Sequence, residues 1–393
     1  MRFLSFLFFL GCFYSALFAK HLEVEIEAPS AILMNAESGA ILFEKQPHTP
    51  FYPASITKIA TALFVLDHKK VDLDQLLTAS KESLRVKPLN QYESCPPYWL
   101  ESDGTKMGLQ CGEHISIEAL LHGLMLISGN DAANVIAEGV SGSIPSFVEE
   151  MNQYLKDLGC QNTQFSNPHG LHHFNHFTTA YDICLITQRA LRIPKFREIV
   201  SKPFYMKPKT NKQGAAPIRH TNPLFKEGRF YYPKAIGVKT GFHSQAKNTF
   251  VAAAEHEGRT LISVLLGCEK RESRYEDAIR LFETAFAENK EHRCLFNRGH
   301  FYCREIMGAK ENLQAELLED LSISYYPSEE SPLKAFIHWQ IPSLPILKGQ
   351  KVGEIHLVDE TGALLQKKDL YARESVREKF FFRLKKWFLS QMP

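Results

Sequence analysis

Ser55-Ile56-Thr57-Lys58 places a lysine three residues after a serine, a pattern from which a covalent hydrolase can be built. On a helix, residues three apart share a face, so the Lys58 amine can reach the Ser55 hydroxyl. A serine hydroxyl is a weak nucleophile until a base takes its proton. A buried lysine becomes such a base when desolvation and neighbouring cations lower its pKa. The pattern alone decides nothing, because Ser244…Lys247 and Ser331…Lys334 satisfy it too. Two further clusters give it company. Ser128-Gly129-Asn130 falls between two predicted helices. A serine there can relay a proton toward a leaving amine, and an asparagine can hold the lysine and a substrate amide. Lys239-Thr240-Gly241 follows the strand-like Ala235-Ile236-Gly237-Val238. A cation and a hydroxyl on a strand edge suit a carboxylate, and glycine lets a ligand backbone come close.

The elements that must position these groups follow from local pattern. Residues 31–34 and 40–43 flank the turn Glu37-Ser38-Gly39 and predict a hairpin. Residues 55–68 carry an apolar helical face through Ile59, Leu63, Phe64 and Leu66. Ser116 is a candidate N-cap for a helix through Leu120, Leu121, Leu124 and Ile127, and 131–138 predicts the next. Residues 248–254 and 260–267 read as strands around Glu257-Gly258-Arg259, and 275–287 as a helix. Helices packed on an antiparallel sheet, an α+β arrangement, are the expected architecture for residues 20–290. Residues 291–372 contain short alternating segments, four prolines between 327 and 345 and the turn Glu360-Thr361-Gly362, which predict a small all-β domain.

Both ends depart from this texture. Arg2 precedes an apolar run from Phe3 to Phe18 ending at Ala19, the pattern of a secretory signal peptide over residues 1–19. At the other end, Val376, Phe380, Leu384 and Phe388 recur every four residues among Arg377, Lys379, Arg383, Lys385 and Lys386. Residues 373–393 therefore predict a basic amphipathic helix suited to an anionic membrane surface.

Composition narrows the remaining classes. Across 393 residues, 23% are charged and 44% hydrophobic, with a net charge of +2; the balance is globular, and no basic field points to nucleic acid. Eight cysteines are widely spaced with no CxxC pair, so neither a dense disulfide scaffold nor a zinc knuckle is expected. Cys95 and Cys111 flank a loop-like stretch in which a bridge is conceivable in an oxidising compartment. His169, His172, His173 and His176 lie close together and keep a metal-binding reading open, although no metal or other cofactor is assigned.

Taken in order, SxxK, SxN and KTG are separated by 73 and 111 residues. That ordered set is the signature of class A β-lactamases and penicillin-binding proteins, and the chain resembles that superfamily. It is most similar to the low-molecular-mass serine D-alanyl-D-alanine carboxypeptidases, peptidase family S11. Supporting segments are Pro53-Ala54 before the nucleophile, Asp131-Ala132-Ala133 after the second motif, Asn167-Pro168-His169-Gly170-Leu171, Thr179-Ala180-Tyr181-Asp182 and residues 345–353. The resemblance covers about residues 28 to 372. It implies a penicillin-binding transpeptidase-like catalytic domain followed by a small β domain. It further implies catalytic roles for Ser55, Lys58 and Ser128, with substrate held by Asn130, Lys239, Thr240, Gly241 and Arg274. The implied substrate is a peptidoglycan muropeptide ending in D-Ala-D-Ala, with β-lactams as covalent inhibitors and a periplasmic, membrane-peripheral location. A class A β-lactamase would need a deacylating glutamate where residues 163–168 have none. Transpeptidase or endopeptidase action through the same acyl-enzyme stays open, as does a noncatalytic envelope protein. Three departures from the family pattern concern substrate preference: His243 in place of a common threonine, Lys247 in place of a common glycine, and an apparent insertion over residues 86–101.

Overall fold

The computed structural model describes residues 21–88 and 94–384. They divide into two compact units with a boundary between Ala287 and Glu288. The first unit starts with the hairpin β1 (Ser30–Asn35) and β2 (Ile41–Lys45). Its turn closes because the Asn35 side chain accepts from the Glu37 and Ser38 amides, while Gly39 takes a left-handed conformation at φ +78°. The predicted helix at 55–68 is three pieces: a 3₁₀ turn at Ala54–Ile56, α1 (Thr57–Leu63) and a wide π-type turn at Phe64–Lys69. A short pairing of β3 (Leu76–Thr78) with β4 (His114–Ser116) follows. Then come α2 (Ile117–Leu126), capped by Ser116 as expected, α3 (Asn130–Ser141), α4 (Ile144–Asp157), α5 (Ala180–Leu191) and α6 (Pro194–Ser201). A small hairpin, β5 (Phe204–Lys207) with β6 (Ala216–Arg219), precedes β7 (Ala235–His243), β8 (Lys247–His256), β9 (Arg259–Cys268) and α7 (Ser273–Phe286).

The principal sheet runs β2-β1-β9-β8-β7 and all its neighbours are antiparallel. Side chains alternate across it. Ile32, Met34, Val251, Ala253, Ile262 and Val264 pack with α1–α6, whereas Ala31, Leu33, Phe250, Ala252 and Leu265 pack with α7. Both faces are covered, which is why β9 is buried along its whole length. Each of the larger of these side chains, the Ile, Leu, Val, Met and Phe, contributes roughly 1.5–3 kcal/mol by leaving water. β7 is the sheet's outer strand on that side. One row of its backbone N–H and C=O groups is therefore not committed to a neighbouring strand.

The second unit is all-β. β11 (Phe301–Arg304), β12 (Leu313–Leu317), β14 (Lys334–Trp339), β15 (Lys351–Val358) and β16 (Leu364–Ala372) form a sheet in the order β11-β12-β16-β15-β14, and β10 (Glu291–Phe296) pairs with β13 (Leu321–Tyr325). Its core gathers Leu313, Leu317, Leu321, Ile355 and Leu370. The chain beyond Ala372 corrects one expectation. Val376 belongs to no helix; it is buried and bridged to Ile346, while residue 378 bridges to Ala309. Helical geometry begins at residue 380 and is described only to residue 384. The rest of the expected amphipathic helix, and the expected signal segment 1–19, lie outside the described residues. Among the described residues no helix is long and apolar enough to cross a membrane. Cys111 is a free, exposed thiol, so the conceivable Cys95–Cys111 bridge is absent.

Candidate active site

Ser55 sits half-buried in the turn that leads into α1. The preceding Ala54 has φ +52°, a left-handed conformation that costs a non-glycine residue about 1–2 kcal/mol. The surroundings hold it there. The Thr57 hydroxyl donates to the Ala54 carbonyl at 2.8 Å, and the Thr249 hydroxyl of β8 donates to the Pro53 carbonyl at 2.9 Å. Since Thr57 spends its proton on Ala54, it must accept from His176 Nε2, 2.9 Å away. His176 Nδ1 in turn accepts from the Ser166 amide at 3.0 Å. The ring is thus fixed as a neutral Nε2–H tautomer, and complete burial pushes its pKa well below the usual histidine value. Gly170 closes the support. It has φ +92°, and a Cβ there would lie 1.9 Å from the Ala54 carbonyl oxygen. No side chain fits between the two segments.

Lys58, wholly buried in the first turn of α1, reaches three oxygens: Ser55 Oγ at 3.0 Å, Asn130 Oδ1 at 2.7 Å and the His169 carbonyl at 2.6 Å. Two of these partners can only accept. The amine donates to all three; once it gives up a proton, Asn130 and His169 keep the two remaining donors and the lone pair faces the Ser55 hydroxyl. Electrostatics favour loss of that proton. Burial holds the Lys58 pKa well below the ordinary lysine value, the nearby Lys239 charge lowers it further, and Asp131 partly opposes both. The Asp131 carboxylate is itself engaged by the backbone amides of Met107, Gly108, Leu109 and Ala132.

Lys239 is buried on β7 and donates to the Thr240 carbonyl at 2.9 Å. Burial first, and the Arg274 guanidinium second, push its pKa down to about 7. Gly241 lies directly beside the nucleophile turn: a Cβ at this position would stand 3.0 Å from the Ser55 amide nitrogen and 3.1 Å from the Pro53 carbonyl. Arg274 is set back from the others. Its guanidinium is buried and donates to the Gly241 and Thr249 carbonyls and to the Tyr275 hydroxyl, so it braces the ends of β7 and β8. Ser128 occupies the α2–α3 turn, buried and left-handed at φ +65°. Of the residues expected from sequence, hydrogen bonds join Ser55, Lys58 and Asn130, and close approach joins Gly241 to Ser55.

Some contributors carried little sequence signal. The His169 carbonyl is a backbone group whose identity no side chain announces, although the Asn167–Leu171 segment was marked by resemblance. Asn167 builds that loop by accepting from the His169 and Gly170 amides. His169 uses both ring nitrogens, on the Leu171 amide and the Tyr98 carbonyl, so with His176 it is a structural histidine. Among the described residues no group of three or more His, Cys, Asp or Glu side chains is disposed to hold a metal ion. The departures have places too. His243 packs beside His172 and Tyr52. Lys247 stands at φ +56° in the β7–β8 turn, which is the physical reason a glycine suits that position. The described part of the insertion folds onto the site's support, with Tyr98 and Trp99 donating to Glu82 and the Pro97 carbonyl accepting from Asn167.

A buried lysine whose surroundings favour the neutral amine beside a serine hydroxyl is what a serine hydrolase needs to form an acyl-enzyme, and that is the class to which this fold and site assign the molecule. Comparison with known proteins narrows the class. The sequence pattern of the D-alanyl-D-alanine carboxypeptidases, peptidase family S11, matches residues 17–270, and the chain belongs to that family. Members are serine hydrolases that act through an acyl-enzyme and are inhibited by penicillin. The D-alanyl-D-alanine carboxypeptidase DacA of Haemophilus influenzae is 30% identical over 84% of this chain and 81% of its own length. The crystal structure of penicillin binding protein 5 from the same organism superimposes with a TM-score of 0.62 at 27% identity, over 91% of this chain and all of that one. The Streptomyces K15 DD-transpeptidase aligns at a TM-score of 0.59 and 29% identity, over 68% of this chain and 99% of its own.

Proposed function

We propose that this chain is a carboxypeptidase that removes the terminal D-alanine from peptidoglycan stem pentapeptides through an ester on Ser55. The observation that carries the reading is the buried Lys58 amine, hydrogen-bonded to Ser55 Oγ and held by the Asn130 and His169 oxygens, which only accept and so leave its lone pair to Ser55 once a proton is lost. Ser55 Oγ attacks the carbonyl carbon between the last two D-alanines as its proton passes to Lys58. The Ser55 amide and an uncommitted N–H on the β7 edge receive the negative oxygen that develops, the arrangement in which electrostatic stabilisation is most effective. Collapse breaks the C–N bond, and Ser128 passes a proton to the departing D-alanine nitrogen. Water then hydrolyses the ester and returns the proton to Ser55. Asn130 keeps Lys58 aligned and faces the substrate amide. Lys239, Thr240 and Gly241 hold the terminal carboxylate, with Arg274 adding positive charge and fixing the strand from behind. A β-lactam presents a carbonyl and a carboxylate to the same groups and leaves Ser55 acylated.

In this reading residues 1–19 direct export, 20–290 form the catalytic domain, 291–372 the small β domain, and 373–393 a membrane-binding segment at the periplasmic face of the inner membrane, its helix starting after residue 379. The basic, aromatic composition of residues 377–388 supports the last of these. The test is incubation of the purified chain with a stem pentapeptide and with a cross-linked muropeptide, followed by mass spectrometry. Loss of one alanine from the pentapeptide, together with a penicillin adduct on Ser55, is expected. Cleavage of the cross-link alone would reassign the chain as an endopeptidase, and joining of two peptides as a transpeptidase.

A further inference from the structure

The catalytic unit has a concavity away from Ser55. A cleft of about 960 Å³ lies between α4, the described part of the insertion and the loop 164–177, and contains none of Ser55, Lys58 or Lys239. Its wall combines three half-buried aromatic rings, Tyr98, Tyr154 and Phe177, with the apolar Val148. Around them stand neutral amides, among them Gln164 and Asn175, and three carboxylates, of which Glu150 is paired with Lys69 and Asp157 accepts from Gln153, leaving Glu149. Among the described residues the Glu149 carboxylate and the Asn175 side-chain amide make no hydrogen bond or ion pair, and both residues are exposed. Apolar rings edged with directional amide and carboxylate groups match a pyranose, which has an apolar C–H face and a rim of hydroxyls and acetamido groups.

The position of the cleft supports the same ligand. Tyr98, in its wall, accepts from His169 through its backbone carbonyl at 3.1 Å, and the His169 carbonyl accepts from Lys58. Ser166, also in the wall, donates to His176, which supports the Ser55 turn through Thr57. The cleft is thus one layer of residues behind the nucleophile. If Ser55 cuts after the fourth residue of a stem peptide, the extended stem reaches about 13–14 Å back from the cut to its sugar. The stem is short enough for its sugar end to lie against the same compact unit as Ser55.

We propose that this cleft, between α4, Tyr98 and the 164–177 loop, is a subsite for the N-acetylhexosamine glycan to which the stem peptide is attached. The proposal rests on the carboxypeptidase reading for its substrate, but saccharide binding can be measured without turnover. Calorimetric titration of the full chain with a peptide-free N-acetylglucosamine tetrasaccharide should show binding. A Glu149→Ala, Asn175→Ala double variant, altered only at exposed positions, should bind about tenfold more weakly, the value of two or three net hydrogen bonds. In the activity assay, wild-type protein should show a KM about tenfold lower for a glycan-linked pentapeptide than for the free peptide. The double variant should lose that preference and keep the kcat of the free peptide. Absence of tetrasaccharide binding, or binding unchanged by the double substitution, overturns the subsite. Failure to release D-alanine from either peptide overturns the carboxypeptidase reading instead, while the titration still decides the cleft.

Discussion

The Ser55 turn and the β7 edge bury one lysine each, and the two lysines are surrounded differently. Lys58 meets three oxygens supplied by three separate chain segments, with its own turn pinned by Thr57, Thr249, His176 and Gly170. Lys239 makes one hydrogen bond, to the carbonyl of its own neighbour. A base must keep its lone pair on one atom throughout the reaction, which demands a rigid cage. A carboxylate-binding cation must instead keep donors uncommitted until the ligand arrives. In the proposed mechanism the difference lets one residue type serve two tasks: the number and kind of its fixed partners set whether it acts as a base or stays available to a ligand.

The comparison breaks most visibly at the nucleophile. Ser55→Ala should abolish both penicillin labelling and D-alanine release. Lys58→Met should lower acylation by about 10³-fold, within the range for a lost general base. Second-order labelling rates with a fluorescent penicillin check both. Labelling of Ser55→Ala at the wild-type level would disprove the assignment of the nucleophile. Lys239→Met should still acylate, but with its loss concentrated in KM for substrates that carry a terminal carboxylate. An equal loss in kcat would erase the distinction between the two lysines.

The supporting cage should be almost as sensitive as the chemistry. Gly170→Ala would put a Cβ 1.9 Å from the Ala54 carbonyl in a backbone conformation with φ +92°. The two segments must separate, and a loss of about 3 kcal/mol or more is expected for overpacking plus backbone strain. Denaturant unfolding measures the stability, and penicillin labelling of the surviving folded fraction measures the nucleophile turn. A variant that keeps wild-type stability would mean the cage is softer than its geometry indicates.

The titration of the two lysines should separate by pH. Lys58 is lowered well below 10.5, and as pH falls through its pKa the lone pair is lost, so kcat and kcat/KM both fall on the acid side. Lys239 is lowered to about 7 in the empty site. As pH rises through that value its charge is lost, so kcat/KM should decline on the alkaline side. A bound carboxylate favours the charged amine and raises the Lys239 pKa, so kcat should decline only at higher pH. A pH profile of both parameters with a pentapeptide checks the signs. Coincident alkaline limbs in kcat and kcat/KM would contradict the role of Lys239.

How much of this was legible in the sequence differs between the two regions in a physical way. Ser55, Lys58 and Asn130 act through side chains, so their types and order carried the information. The β8–β9 hairpin and the turn at Gly362 were likewise visible, because turn chemistry at Gly258 and Gly362 is local. The His169 carbonyl, the Gly241 backbone beside Ser55 and the unpaired β7 edge are main-chain features, and tertiary packing alone puts them in place. Arg274 was legible as a cation but not as a brace, since its carbonyl partners are set by how β7 meets β8. Val376 shows the converse error: a four-residue apolar period is satisfied at that position by burial against Ile346 in the second unit, and the helix starts later.

The smallest effect tests the looser of the two regions. Lys247 holds φ +56° in the turn joining β7 to β8, a conformation that costs a residue with a Cβ about 1–2 kcal/mol and glycine almost nothing. Its ammonium lies 3.4 Å from the Glu269 carboxylate, but both side chains are largely exposed, so the pair contributes little. Lys247→Gly removes the strain and adds backbone freedom to the unfolded chain, which offsets part of the gain. A net stabilisation of about 0.5–1 kcal/mol is expected, whereas Lys247→Ala, which keeps the Cβ and loses the same ion pair, should give none. Parallel denaturant melts of the two variants decide it. Equal stabilities would locate the cost elsewhere than the backbone. A gain in Lys247→Gly with unchanged penicillin labelling would show that the β7–β8 hairpin tolerates adjustment that the Ser55 turn does not.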